Sequence, residues 1–210
     1  VTAAVTINGF AQDVAIATAD VPAVYLIKPA DGYFQDTTTI GTGVTRITMR
    51  GQFRFASFLS GTAGMSVFSG VSTPLNLAIK DNGSIVVRVE DSTGTAVYDA
   101  TIAPAGTVLL NTWYTDVEFD VNHAAQRVQV TIGGFDFIGN FSTAGTGTFQ
   151  SNRSVSFLAS SGGTAQVTAG TFAADMSVDF NGILRKAIPN DAAAANADPW
   201  KLGGGTFAGS

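Results

Sequence analysis

The chain contains no cysteine. Structural disulfides and thiolate metal sites are therefore excluded. That absence does not fix a compartment, because a large β-sandwich needs no covalent staple. Histidine is nearly as scarce: His123 is the single copy, so a closed zinc site is not available. Charged residues make up 13% of the chain and hydrophobic ones 45%, the reverse of a disordered composition. A net charge of −5 lacks the basic footprint of a nucleic-acid binder, and no nucleic-acid partner is expected. No apolar run approaches the roughly 18 residues of a membrane span, so membrane insertion is not expected. Val1-Thr2-Ala3-Ala4 shows no charged segment leading into an apolar one, which leaves open whether a leader was removed before Val1.

What is abundant favours strands and turns. Fifteen Phe, with many Thr and Val, suit a pleated half-buried surface, and 24 Gly supply turns. A chain of 210 residues accommodates one large all-β domain and buries roughly 70% of the surface its unfolded form exposes.

The stretch from Asn111 to Gly134 is the most informative. Trp113, Thr115, Val117, Phe119 and Val121 alternate with Tyr114, Asp116, Glu118 and Asp120. Val128, Val130 and Ile132 then alternate with Arg127, Gln129 and Thr131. Period two predicts two strands, each with a buried and a wet face, joined through Asn122 to Gln126 and ended by Gly133-Gly134. Trp113 is expected in the core and Tyr114 on the outside.

The same style fills the chain. Ile47, Met49, Phe53 and Phe55, with Gly51 in step, oppose Arg46, Thr48, Arg50, Gln52 and Arg54. Leu75, Leu77 and Ile79 lead to Asp81-Asn82-Gly83, where Asn-Gly predicts a primed turn, and Ile85, Val87 and Val89 follow. Phe172, Ala174, Met176, Val178 and Phe180 alternate with Ala173, Asp175, Ser177 and Asp179. Asn8-Gly9 marks an N-terminal hairpin. More than ten short strands with turns between them predict an antiparallel sandwich or barrel. We expect a sandwich over residues 1–188, with strands of 1–30 packed on or added to it. Residues 189–210, rich in Ala, Asn and Gly, are expected to form a non-core tail, with a short helix over 191–197 as one option.

In order and alternation, ITMRGQFRF, LNLAIKDNGSIVVRVED, NTWYTDVEFDVNHAAQRVQVTIGG and GTFAADMSVDF resemble the concanavalin A-like lectin/glucanase superfamily, especially its laminin-G-like branch. The resemblance covers about three quarters of the chain. It implies an all-β fold, an antiparallel two-sheet jelly-roll sandwich with a concave outer face. The usual aspartate before the turn glycine is replaced by Ile132. Cys-free, Gly/Thr/Ala-rich jelly rolls with a short tail also resemble accessory proteins of bacteriophage-type particles, such as head fibres or tail tips.

Glu118-x-Asp120 invites comparison with the carboxylate signature of the glucanases, whose acids share one strand face for glycoside cleavage. The third carboxylate is missing, since Asn122 and His123 stand there, and the pair sits one strand away from the signature's place. The matching strand, SIVVRVED, puts Glu90 and Asp91 on opposite faces. A solvated strand face is the plainer reading, and a complete catalytic set is not expected. His123 is expected to be an exposed turn residue. Calcium stays open as a cofactor, with oxygen ligands offered by Asp81, Asn82, Asp91, Asp116, Asp120 and Asn122 in no spaced signature. Arg46, Arg50, Arg54, Arg88 and Arg127 suit an acidic polysaccharide or, more plainly, balance nearby acids.

The expected function is non-catalytic carbohydrate binding on an extracellular or virion surface. Tyr114 would stack on a sugar ring while Arg88, Glu90, Asp116 and Glu118 bond its hydroxyls. The partner is a glycan or polysaccharide, with homo-oligomerisation open. A structural role is the alternative, the tail docking through Trp200 onto virion or surface-structure subunits. A polysaccharide-cleaving glycosidase or lyase is the third reading.

Overall fold

In the computed structural model, the residues described are 2–7, 10–15, 23–27, 34–35, 40–59, 65–70, 73–153, 155–158, 168, 171–186, 188–189 and 197–201. In chain order the strands begin with β1 (Thr2–Ile7), β2 (Phe10–Ala15), β3 (Ala23–Ile27), β4 (Phe34–Gln35) and β5 (Arg46–Arg54). Next come β6 (Met65–Gly70), β7 (Thr73–Ile79), β8 (Ile85–Glu90), β9 (Ala96–Ala103), β10 (Tyr114–Asn122) and β11 (Arg127–Ile132). The last are β12 (Phe135–Asn140), β13 (Val155–Phe157), β14 (Thr171–Phe180), β15 (Ile183–Lys186), β16 (Ile188–Pro189) and β17 (Ala197–Lys201).

Two antiparallel sheets hold most of them. The larger runs β12-β11-β10-β5-β14-β3-β17, with β15 also paired to β14. The other runs β16-β4-β13-β6-β7-β8-β9, and among the described residues β1 and β2 pair only with each other. The expected alternation is what joins the sheets. Ile47, Met49 and Phe53 of β5 and Val117, Phe119 and Val121 of β10 face Leu75, Leu77, Val87 and Val89 of the opposite sheet in one core. Phe119 stacks on Phe68 across the gap, ring centroids 6.3 Å apart. Each such fully buried ring contributes about 1.5–3 kcal/mol through removal from water. Along one side the sheet edges meet, where Tyr98 of β9 lies against the backbone of Gly139 in β12. Burial there raises the Tyr98 hydroxyl above its ordinary range.

Register departs from simple alternation at two places beside β5. Between Tyr114 and Val117 two residues of β10 oppose Gln52 alone, and between Ala174 and Ser177 two residues of β14 oppose Gly51 alone. Each is a β-bulge, and one extra residue turns the following side chains to the other face. Tyr114 therefore points into the core, against Phe53 at 5.9 Å, and not outward as alternation predicts. Trp113 lies just outside the strand, half-buried, and is not a core residue. In β14 the same shift buries Ala173 and leaves Phe172 half-buried beyond the bulge.

Two pieces at the C-terminal end take part in strand pairing. Ile188–Pro189 pairs with β4, and Ala197–Lys201 pairs with β3, placing Trp200 opposite Val24. Backbone pairing thus draws parts of residues 189–210 into the sheets. The helix option lies mostly outside the described residues, and its last position, Ala197, is in β17. Ile7 and Phe10 are the last pair of the β1–β2 hairpin, flanking Asn8-Gly9 as expected.

The Asp81-Asn82-Gly83 turn is longer than a two-residue primed turn. Ile79 and Ile85 are the last pair, and within the loop only Gly83 has positive φ, at 75°. Its carbonyl accepts from the Val108 amide at 2.9 Å, which pins the turn to the loop before β10. A Cβ at Gly83 meets the Val108 carbonyl oxygen, and the left-handed backbone adds strain. Gly83→Ala should lower stability by about 2 kcal/mol and the melting temperature by about 4–8 °C. An unchanged thermal melt would show that the turn relaxes freely.

Candidate functional site

The two bulges dent the outer face of the larger sheet. The dent is a groove of about 480 Å³ lined by Arg50, Gly51, Gln52, Asp116, Val117, Glu118, Thr131, Asp175 and Ser177. Strand register explains why residues so far apart in sequence meet here. Thr131 lies opposite Glu118, Glu118 opposite Arg50, and Arg50 opposite Ser177, forming one row across four strands. Neighbouring strands lie about 4.8 Å apart, so side chains in such a row touch.

Within the groove the polar groups are partly paired. Arg50 Nε donates to Glu118 Oε2 at 2.7 Å, and both side chains stay partly exposed. Such a pair contributes at most about 1 kcal/mol to stability. Gln52 Nε2 donates to Asp175 Oδ2 at 3.2 Å. The Asp116 carboxylate accepts from the amides of Gly133 and Gly134 at 3.1 and 2.8 Å, capping the β11–β12 turn. Both turn glycines have positive φ, as a two-residue primed hairpin requires. Asp175, the exposed residue of the β14 bulge, has φ of 52°. Aspartate tolerates this left-handed conformation better than most side chains. Arg54 lies outside the groove, over the Phe172 ring at 5.5 Å and bonded to Asn111 Oδ1 at 3.1 Å.

The expected site residues do not form one surface. Asp116 and Glu118 line the groove, whereas Arg88 and Glu90 belong to β8 in the opposite sheet. There Arg88 Nη2 bonds Glu90 Oε1 at 2.7 Å and Arg88 Nη1 bonds Asp99. These contacts raise the Arg88 pKa, the Glu90 bond first. Tyr114 is not a stacking platform: it is 8% exposed, and its hydroxyl accepts from Leu109 N at 2.9 Å and donates to Thr107 O at 3.2 Å. The side chain of Trp200 lies outside the described residues. Arg50, Gln52, Asp175 and Ser177 take the vacated places. Arg50 was visible as part of the arginine series on β5, but nothing in the sequence announces the bulges that bring Asp175 beside it.

Glu118 and Asp120 do share a face, as the alternation predicts. Asp120 is not solvated, however; at 3% exposure it lies under Arg46, accepting from Nε at 2.7 Å and from Thr48 Oγ1 at 2.7 Å. The hydrogen bond to Asp120 is the main cause of the raised Arg46 pKa. The oxygen ligands considered for calcium are dispersed. Asn82 Oδ1 holds the Ser84 amide, Asn122 Oδ1 holds the Ala125 amide, and no three His, Asp or Glu groups converge among the described residues. Asp91 is buried, which by itself raises a carboxyl pKa. The Thr93 hydroxyl and the amides of Thr93, Thr95 and Thr146 together outweigh that and bring it down to about 2.

His123 is buried at 2% exposure, not an exposed turn residue. The β10–β11 turn places it against Phe149 at 4.3 Å and Phe141 at 5.2 Å, with no hydrogen bond of standard geometry at either ring nitrogen. Burial lowers its pKa below 6.5, partly offset by Asp91 and by the Glu90 carbonyl.

No protein-family model matches the chain, and no curated protein matches its sequence. Among solved structures it is similar to domains LG4-5 of the mouse laminin α1 chain, with a TM-score of 0.56 and 10% identity. That match covers 97% of this chain and 55% of the other, so the chain spans about half the laminin segment. It is also similar to a heptameric SAP-like pentraxin from Limulus polyphemus, with a TM-score of 0.53 and 14% identity over 77% of each chain. A family 7 alginate lyase gives a TM-score of 0.44 at 16% identity, covering 69% of this chain and 64% of the other, too loose a likeness to carry an argument. The fold is thus a concanavalin A-like jelly roll. At these identities the likeness defines fold alone.

A base kept neutral by folding adds stability above its unfolded pKa and loses it as the pH falls. Denaturant midpoints should therefore drop as the pH falls below 6.5. In His123→Phe that drop should vanish. Asp91, lowered from 3.8 to about 2, loses its own contribution only below about pH 5, so the slope is read between pH 6.5 and about 5. An identical slope in the variant would assign the loss to other groups.

Proposed function

We propose that the chain is a non-catalytic carbohydrate-binding jelly roll that works on an extracellular or virion surface, with its ligand in the groove of the larger sheet. The supporting observation is the arrangement of Arg50, Gln52, Glu118, Asp175 and Ser177 around about 480 Å³ of open space. Sites for small ligands fall in the range of roughly 300–1,000 Å³, and fixed donors and acceptors on a rigid sheet suit sugar hydroxyls. The lining holds no aromatic ring, so recognition rests on hydrogen bonds and shape.

Glycoside cleavage uses one carboxyl as a proton donor and a second as base or nucleophile. Glu118 and Asp120 are each bound to an arginine, and Asp120 is buried away from the groove. This favours binding over hydrolysis. Binding to a panel of immobilised neutral, acidic and amino glycans should detect at least one ligand. Ser177→Trp, which fills the groove, should abolish that binding without changing the melting temperature. Failure of the whole panel, or undiminished binding by the variant, would overturn the reading.

The structural alternative has one observation of its own. β17 is the last strand of the larger sheet among the described residues, and a terminal strand offers backbone groups to a further strand. Docking onto virion or surface-structure subunits, or a homo-oligomer, would use this edge. Deleting residues 197–210 should then abolish assembly while groove ligands still bind. Unchanged assembly would sink the alternative.

A further inference from the structure

We infer that the groove selects amine-bearing glycans over acidic ones, and that Asp175 decides this selectivity. The inference rests on the carbohydrate-binding reading above and goes beyond it by assigning the charge of the ligand. Three carboxylates, Asp116, Glu118 and Asp175, line the groove against a single guanidinium, that of Arg50. That guanidinium is already engaged, with Nε on Glu118 at 2.7 Å. The arginine series of β5 thus does not amount to an anion site. Arg46 is held by Asp120, and Arg54 lies over Phe172, outside the groove. A uronate or sulfate placed here meets three like charges against one guanidinium that is already paired with a carboxylate.

The three acids are not equivalent. Asp116 is spent on the turn amides of Gly133 and Gly134, and Glu118 on Arg50. Asp175 has only the long 3.2 Å bond from Gln52, through Oδ2, among the described residues. Its Oδ1, like Glu118 Oε1, accepts no hydrogen bond among the described residues, but Glu118 is neutralised by Arg50 whereas Asp175 is paired with a neutral amide. The bulge that gives Asp175 its left-handed backbone also projects it from the sheet, next to Ser177 and across β5 from Glu118. An ammonium group brings several N–H donors and a positive charge into this setting. A hydroxyl brings one donor and no charge, so the same sugar carrying an amine gains a charge-assisted bond that its acetylated form lacks.

The substitution that tests this is Asp175→Asn. Asparagine accepts the left-handed backbone and keeps a carbonyl for Gln52, so the bulge survives while the charge is lost. Binding of a short glucosamine oligosaccharide, its N-acetylated counterpart and an oligogalacturonate would be measured by calorimetry at low and moderate salt. Wild type should prefer the free amine over the acetylated chain by roughly tenfold, with the preference shrinking as salt rises. It should bind the galacturonate least. Asp175→Asn should lose the amine preference, while Asp81→Asn, which removes a charge from the opposite sheet's turn, should keep it. Equal binding of the amine and acetylated forms, tighter binding of the galacturonate, or an unchanged preference in Asp175→Asn would each overturn the inference and leave glycan binding standing. Binding of no glycan at all would overturn both.

Discussion

Met176 occupies the place that a side chain at position 51 would need, and the architecture of the site follows from that contact. With glycine at position 51 the β14 bulge can turn Met176 inward and seat it in the core. A side chain at position 51 would require the Met176 thioether, the flexible end of that side chain, to move aside. The bulge in β10 lies one residue further along β5, against Gln52. Two bulges on either side of one strand strengthen the local twist and leave a hollow between them. The groove is therefore a consequence of packing on the inner face, read out on the outer one.

Electrostatics on the outer face divides along the same line. Cross-strand neighbours bring opposite charges together: Arg46 on Asp120 outside the groove and Arg50 on Glu118 within its lining. The Arg46–Asp120 pair closes the surface beyond the groove. At the bulges the register fails, and the acids there have no arginine opposite. Asp116 turns to the glycine amides and Asp175 to a glutamine. The irregular part of the sheet is thus the part with unspent hydrogen-bonding capacity, and it is also the concave part.

The end of the sandwich beyond β10 depends on a different balance. His123 and Asp91 are both buried polar groups, with opposite solutions. Asp91 keeps its charge because a hydroxyl and three backbone amides surround it. His123 lies between two phenylalanine rings and stays neutral. Burial opposes charge in both cases, and hydrogen bonding decides which group retains it.

Much of the architecture was determined by sequence alone, because period-two alternation is a local property. Ile47, Met49 and Phe53, Val117 to Val121, and Val128 to Ile132 all face the core as their spacing requires. The alternation and turns indicated an antiparallel sandwich or barrel, and the order of those strands carried the family resemblance that implied a jelly roll. What only the tertiary structure decided begins wherever one residue is inserted. A bulge is invisible to alternation until the partner strand is known, so Tyr114 took the core place expected of Trp113, which is half-buried. Sheet membership is equally non-local: Arg88 and Glu90 share the outward period of Glu118 yet lie on the opposite side of the sandwich. Asp175 joined the site because β5 lies between β10 and β14, strands that come much later in the chain. Pairing over such separations follows from the closure of a common core, which no single segment encodes.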